Sequence, residues 1–304
     1  MKAWTQRLCA GHAARAVATT IGAFVALCGG LLAGCASTTT PAPVLTPARI
    51  AALVASPDRS AADRNNDLRR KPEQMLGFIG IRPGMVVLDV SAGGGYTTEL
   101  LARAVGPRGV VYGQSQPRNA LRPGPAPSAP EGAAAPPPPA PASGATPAAA
   151  PRPSAVALAE RQARLRSAQV DAAPIVAVVQ PFDNPVPVER ADAGLDLVTL
   201  MFNYHDLGFL GVDRSQMNRQ VFRALRPGGL YVIADHAGRS GTGISESGTL
   251  HRVEEAFLRA EVQAAGFRLQ DEADFLRNPA DPRDRNTPDP PQPKDEFVLK
   301  FVKP

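Results

Sequence analysis

Imidazoles are few in this sequence, and two of them sit at the ends of apolar runs beside carboxylates. Of the four histidines, His12 lies near the N-terminus; the others are His205, His236 and His251. Asp206 follows His205, and Asp235 precedes His236. An imidazole beside a carboxylate suits general acid–base chemistry, because the carboxylate orients the ring and tunes a pKa already near neutrality. His205, oriented by Asp206 or Asp235, is the candidate base. The same residue types suit first-row metal ions, so His205, His236 and His251 with Asp235 form an alternative ligand set. Each also has a plain structural reading. His205-Asp206 reads as a surface-loop pair, and His251 as a first-turn helical residue bonded to Glu254 or Glu255.

A second group of residues points to a bound ligand. Met85 to Val90 is a near-continuous apolar run broken only by Asp89, as expected of a strand covered on both faces. Gly93, Gly94 and Gly95 follow, and a helix opens near Tyr96 with Leu100, Leu101 and Ala104 on one face. Glycines at a strand-to-helix corner let a ligand approach the backbone, and the helix N-terminus offers unpaired N–H groups. Asp89 reads equally as a ligand contact or as a carboxylate that braces the loop.

The elements that must position these residues alternate along the chain. Helices are predicted over Pro72–Ile79, 96–105 and Ser154–Ala168, from Asp213 to Pro227 and over Leu250–Ala265. Strands are predicted at 85–90, 110–114, 175–180, 195–201, 230–235, 267–269 and 297–302. This alternation implies an α/β fold: a Rossmann-like, doubly wound, mostly parallel seven-stranded sheet. Ligands of such sheets bind beyond the carboxyl ends of the strands. Asp89 and the glycines share that edge with Gln114 and Ser115, with Phe182 and Asp183, and with Asn203, His205, Asp206, Asp235 and His236.

These residues carry a resemblance. Asp89, the glycine run and the later Leu225-Arg226-Pro227-Gly228-Gly229 resemble the class I S-adenosylmethionine-dependent methyltransferases. More narrowly, the chain resembles a bacterial group of predicted methyltransferases made with export signals. The matching stretches are residues 63–85, 89–102, 203–206, 234–236, 251–267, 275–281 and 295–304. The resemblance implies a final strand inserted antiparallel beside the fifth, S-adenosylmethionine as cofactor, and transfer of its methyl group to an acceptor. Asp89, Gly93, Gly94, Gly95, Tyr96, Gln114, Ser115, Asp183 and Asn203 then form the cofactor set, and His205, Asp206, Asp235 and His236 the catalytic set. The other reading is an envelope protein of the same fold that has lost methyl transfer and binds a small ligand or metal through its histidines. Two departures stand out. Ser91 occupies the first glycine position, and Ser115, beside Gln114, stands where an acidic residue usually meets the ribose diol. A neutral side chain there loses the charge-assisted contact.

The ends and the middle of the chain set its organisation. Lys2, Arg7 and Arg15 precede an apolar stretch, and Leu32-Ala33-Gly34-Cys35 follows, which resembles a bacterial lipobox. The expectation is a signal peptide over 1–34, lipid on Cys35, a tether over 35–48 and a single methyltransferase-like domain over 49–304. That places the protein on the periplasmic face of the bacterial envelope, with the outer membrane favoured because Ala36 rather than Asp follows Cys35. A membrane span is the competing reading of the leader, since roughly 20 apolar residues suffice. The three cysteines, Cys9, Cys28 and Cys35, all fall in this region, so a mature domain has no thiolate metal site and no cysteine nucleophile. Residues 117–153 are dominated by proline, alanine and glycine and are expected to form a disordered insertion. The formal net charge of +5 does not imply nucleic-acid binding, because the arginines are scattered without interleaved aromatics.

Overall fold

The computed structural model describes residues 42–117, 152–286 and 293–304. The leader with Cys35, most of the tether, and 118–151 of the expected insertion lie outside the described residues. Among the described residues no helix is long and apolar enough to cross a membrane.

Three short helices open the fold: α1 (Pro47–Val54), α2 (Ala61–Arg70) and α3 (Pro72–Ile79). Their starts follow ordinary capping chemistry. The Thr46 and Ser60 side chains accept the Arg49 and Asp63 amides, while Pro47 and Pro72 occupy first-turn positions where no amide donor is needed. Then come β1 (Val86–Val90), α4 (Tyr96–Val105), β2 (Val110–Ser115), α5 (Ser154–Ser167), β3 (Ile175–Val179) and β4 (Leu195–Met201). The chain continues through α6 (Tyr204–Phe209), α7 (Arg214–Ala224), β5 (Leu225–His236), α8 (Ser247–Leu250), α9 (Glu255–Ala264), β6 (Arg268–Ala273) and β7 (Glu296–Val302).

The strands form one seven-stranded sheet in the order β3-β2-β1-β4-β5-β7-β6. β1 runs parallel to β2 and β4, β4 runs parallel to β5, and β7 lies antiparallel between β5 and β6. The expected Rossmann-like sheet with an antiparallel final strand is what the chain forms. Alternation along the strands divides the core between two faces. Leu88, Val90, Val198, Leu200 and Ile233 pack with Met217, Val221, Leu258 and Val262 on one side. Val87, Val111, Leu197 and Val232 pack with Ile50, Met75, Ile79, Leu101 and Val105 on the other.

Two expected boundaries are corrected. The helix capped by Asp213 ends at Ala224 instead of at Pro227, because Leu225 already pairs with Leu195 as the start of β5. The helix expected over Leu250–Ala265 is two helices separated by an extended break. Val253 forms a parallel bridge with Ala237: its amide donates to the His236 carbonyl at 3.1 Å, and its carbonyl accepts from Gly238 at 2.8 Å. His251 consequently adopts φ +52 instead of a helical conformation. This break moves His251 to the strand tips.

Candidate functional site

Beyond β1 the chain turns through Ser91 (φ +61), Gly93 (φ +53) and Gly95 (φ +79), all in the left-handed region. Ser91 holds a conformation that glycine adopts more readily. Its amide donates to Gln114 Oε1 at 2.9 Å, and Gln114 Nε2 donates to the Gln180 carbonyl at 2.6 Å. Gln114 is fully buried and both ends of its amide are engaged, so it holds the loop and offers nothing to a ligand diol. That corrects its placement in the cofactor set and leaves the half-buried Ser115 as the outward hydroxyl at the β2 tip. The three glycines also differ. Gly93 and Gly94 are exposed, and a Cβ added to Gly94 would meet nothing within 4 Å. One added to Gly95 would strike Leu158 at 2.7 Å and Arg161 at 2.8 Å. Gly95 is a packing glycine, and the open face of the corner is Gly93-Gly94. α4 starts there with no side-chain cap.

Asp89 is buried beneath this corner and accepts from Thr98 Oγ1 at 2.6 Å and Thr199 Oγ1 at 2.8 Å. It braces β1 against α4 and β4. Burial pushes its pKa up to about 6, only partly countered by the two hydroxyls and by Arg70. Because the folded value lies above the unfolded one, this group favours folding fully below about pH 4, and that contribution is lost as pH rises through about 6. The loss is about 3 kcal/mol. We predict that Asp89→Asn flattens this slope: urea-unfolding free energies at pH 4.5 and 7.5 converge in the variant relative to the parent. An unchanged pH slope would show that Asp89 is not the group responsible.

The Tyr96 hydroxyl donates to Asp67 at 2.7 Å and ties α4 to α2. Arg70, at the end of α2, reaches over the β4 tip with its guanidinium 3.6 Å from the Phe202 ring centroid. It makes no hydrogen bond or ion pair among the described residues, and burial together with Arg69 lowers its pKa to about 10. Next to Phe202, Asn203 Nδ2 donates to Asp206 Oδ2 at 2.9 Å, while Asn203 Oδ1 is buried without a partner. Asp183 is half-buried in the turn after β3. An unpaired guanidinium and an unpartnered amide oxygen therefore meet at the tip of β4, the strand next to β1 and its glycine corner.

The histidines meet at the tips of β4 and β5. His205 Nδ1 lies 2.6 Å from Asp235 Oδ1, His205 Nε2 lies 3.2 Å from Asp206 Oδ1, and His251 Nδ1 lies 2.9 Å from the same Asp206 oxygen. Carboxylates and imidazoles thus alternate from fully buried Asp235 to part-exposed His251. Burial alone would lower the His205 pKa, but the Asp235 charge and the bonds to both carboxylates hold it at about 9. His205 is buried, with Nδ1 held against Asp235 and Nε2 facing Asp206. His236 stands apart. Burial drives its pKa down to about 2, and its Nδ1 lies 3.0 Å from Glu296 Oε1 at an angle that makes no hydrogen bond. Its ring still packs 5.2 Å from that of His205, centroid to centroid.

The chain matches no protein-family model and no curated protein sequence. Solved structures do align with it. A SAM-dependent methyltransferase from Aquifex aeolicus shares 16% identity over 86% of this chain and 100% of that one, with a TM-score of 0.48. An arsenic(III) S-adenosylmethionine methyltransferase from Chlamydomonas reinhardtii shares 14% over 87% and 74%, also at 0.48. Fibrillarin from Aeropyrum pernix, solved with natively bound S-adenosyl-L-methionine, shares 16% over 72% and 67%, at 0.39. At such identities and scores the likeness adds nothing to the fold already evident from the strand order.

Several residues at this edge carry no local sequence signal. Thr98 and Thr199 matter only because both face Asp89. Glu296 lies at the start of an apolar final strand, and burial raises its pKa to about 7 although Arg69 pairs with it at 2.8 Å. Arg69 and Arg70 both lie against Phe202, while Arg64 donates to the Ser56 carbonyl on the surface.

Proposed function

We propose that this chain binds S-adenosylmethionine at the Gly93-Gly94 corner and transfers its methyl group to a small acceptor arriving at the Asp206–His251 edge. The observation that carries this reading is the unpaired Arg70 guanidinium with the unpartnered Asn203 Oδ1 at the tip of β4, the strand next to the one that ends in the exposed Gly93-Gly94. A half-buried cation without a paired carboxylate is costly, and so is a buried acceptor without a donor. An α-amino-acid end satisfies both, with its carboxylate on Arg70 and its ammonium on Asn203 Oδ1. The donor supplies a methyl group on a sulfonium. The protein's part is to align donor and acceptor for in-line displacement and to keep water out with Phe202. Ser115 is the hydroxyl available to the ribose, and Asp183 borders the same edge. The ordered set of methyltransferase-like stretches supports the same reading, as does the topology. Export and lipid attachment at Cys35 belong to the proposal too, supported by the Leu32–Cys35 stretch.

Calorimetric titration of the full chain with S-adenosylmethionine tests this. We expect one-site binding that weakens about tenfold or more in Arg70→Met, since a charge-assisted contact of about 1.5–3 kcal/mol is removed. Absence of heat at millimolar donor would overturn the proposal. Parental affinity in the variant would move the carboxylate elsewhere.

A further inference from the structure

We propose that His205 Nε2, Asp206 Oδ1 and His251 Nδ1 form a divalent-metal site with an open coordination position, suited to zinc or another first-row ion. The three ligand atoms all lie within 4.8 Å of one another. Asp206 Oδ1 lies 3.2 Å from His205 Nε2 and 2.9 Å from His251 Nδ1. Nitrogen and oxygen ligands about 2.0–2.2 Å from zinc in a tetrahedron stand about 3.3 Å apart, so little side-chain motion closes the site. Two imidazoles and one carboxylate, with no thiolate, is a set that leaves room for a water or a substrate oxygen.

The surroundings of the ligands argue for more than three polar groups in contact. His205 Nδ1 faces Asp235, which is fully buried, so Nδ1 keeps its proton and Nε2, which faces Asp206, is the nitrogen that would release its own to a metal ion. The His205 amide donates to the other Asp235 oxygen at 2.8 Å, and its carbonyl accepts from Ser247 Oγ at 2.6 Å. Asp206 Oδ2, the oxygen not offered to the metal, accepts from Asn203. A carboxylate behind a histidine ligand and an amide behind a carboxylate ligand are the outer-shell bonds that fix metal ligands in place. Access exists on one side only: the Asp206 and His251 side chains are 29% and 33% exposed, against 4% for His205. The other three-residue grouping, His205, Asp235 and His236, is closed. Asp235 there already accepts the His205 and His236 amides, and His236 Nδ1 is turned toward Glu296.

The site stands on its own residues and requires no methyl donor. Only one further use rests on the methyl-transfer reading: an acceptor hydroxyl bound at the open position would give up its proton more readily.

The full chain, stripped with a chelator, is titrated with zinc chloride by calorimetry. We expect one equivalent bound, weakened about 100-fold or more in His251→Ala, since even outer-shell partners are worth about 10–100-fold. His251 is part-exposed, so this variant should fold; Asp235→Asn is the outer-shell counterpart, with an expected loss of about 10–100-fold. His236→Gln should bind as the parent does. Absence of a zinc equivalent, or parental affinity in His251→Ala, overturns the site. Loss in His236→Gln instead overturns it in favour of the closed grouping. Donor affinity measured on the same samples separates failure of this site from failure of the methyl-transfer reading.

Discussion

Gly94→Val should abolish binding of S-adenosylmethionine, by about 100-fold or more, while leaving the melting temperature of the protein where it was. The expectation rests on the contrast within the glycine run. Gly94 has no positive φ, it is exposed, and a Cβ there meets nothing within 4 Å, so a side chain starts into open space. It should cost the folded protein little and fill the volume a donor would need. Such a loss corresponds to about 2.7 kcal/mol, within reach of a few carbon atoms forced into an occupied position. Gly95→Ala is the matched control. Its φ is +79 and its Cβ would overlap Leu158 and Arg161, so it should lower stability, by about 1–3 kcal/mol. Calorimetry and thermal melts on both variants give four numbers. A Gly94→Val protein that binds donor like its parent would mean the ligand does not cross this corner, and the functional reading would fall with it.

The strands and the glycine corner were legible because their signals are local. Val86–Val90 and Leu195–Met201 are short apolar runs between turns, and a central strand of a covered sheet reads this way whatever surrounds it. The antiparallel placement of β7 followed from family resemblance rather than from its residues. What escaped was decided at a distance. α2 has no apolar stripe; the ion pairs Arg59–Asp67 and Arg161–Asp63 hold it, the second reaching across from α5. Gln114 looked like a ligand residue at a strand tip, yet Ser91 in the place of a glycine and the Gln180 carbonyl claim both ends of its amide. Residues 250–265 carry a helical period, with Leu250, Val253 and Phe257 in step. That period lost to a bridge with Ala237 and to a buried arginine whose partner lies 29 residues away. Residue types near the site were readable, but which imidazole met which carboxylate was not.

Arg252 is that arginine, and Arg252→Ala should destabilise the fold by about 3–5 kcal/mol, the range for breaking a buried pair from one side. The guanidinium is fully buried. It forms an ion pair with Asp281 at 2.9 Å and donates to the Ala237 carbonyl at 2.9 Å and the Arg285 carbonyl at 3.1 Å. Alanine would leave the Ala237 carbonyl and much of the Asp281 charge without their donor, plus a cavity. The damage should reach the site. The break over 251–254 is held between Ala237 and Asp281, and it brings His251 against Asp206; a looser break should weaken zinc as well as stability. Urea unfolding of the single variant and of Arg252→Ala/Asp281→Ala separates two causes. If the orphaned carboxylate dominates, removing it too recovers part of the loss, because a pair deleted together leaves no buried charge. If the double variant is no more stable than the single one, the guanidinium acts through the Ala237 and Arg285 carbonyls instead. Arg252→Lys should then be nearly as damaging as alanine, since one ammonium cannot reproduce the planar fork of donors that reaches both carbonyls and the carboxylate.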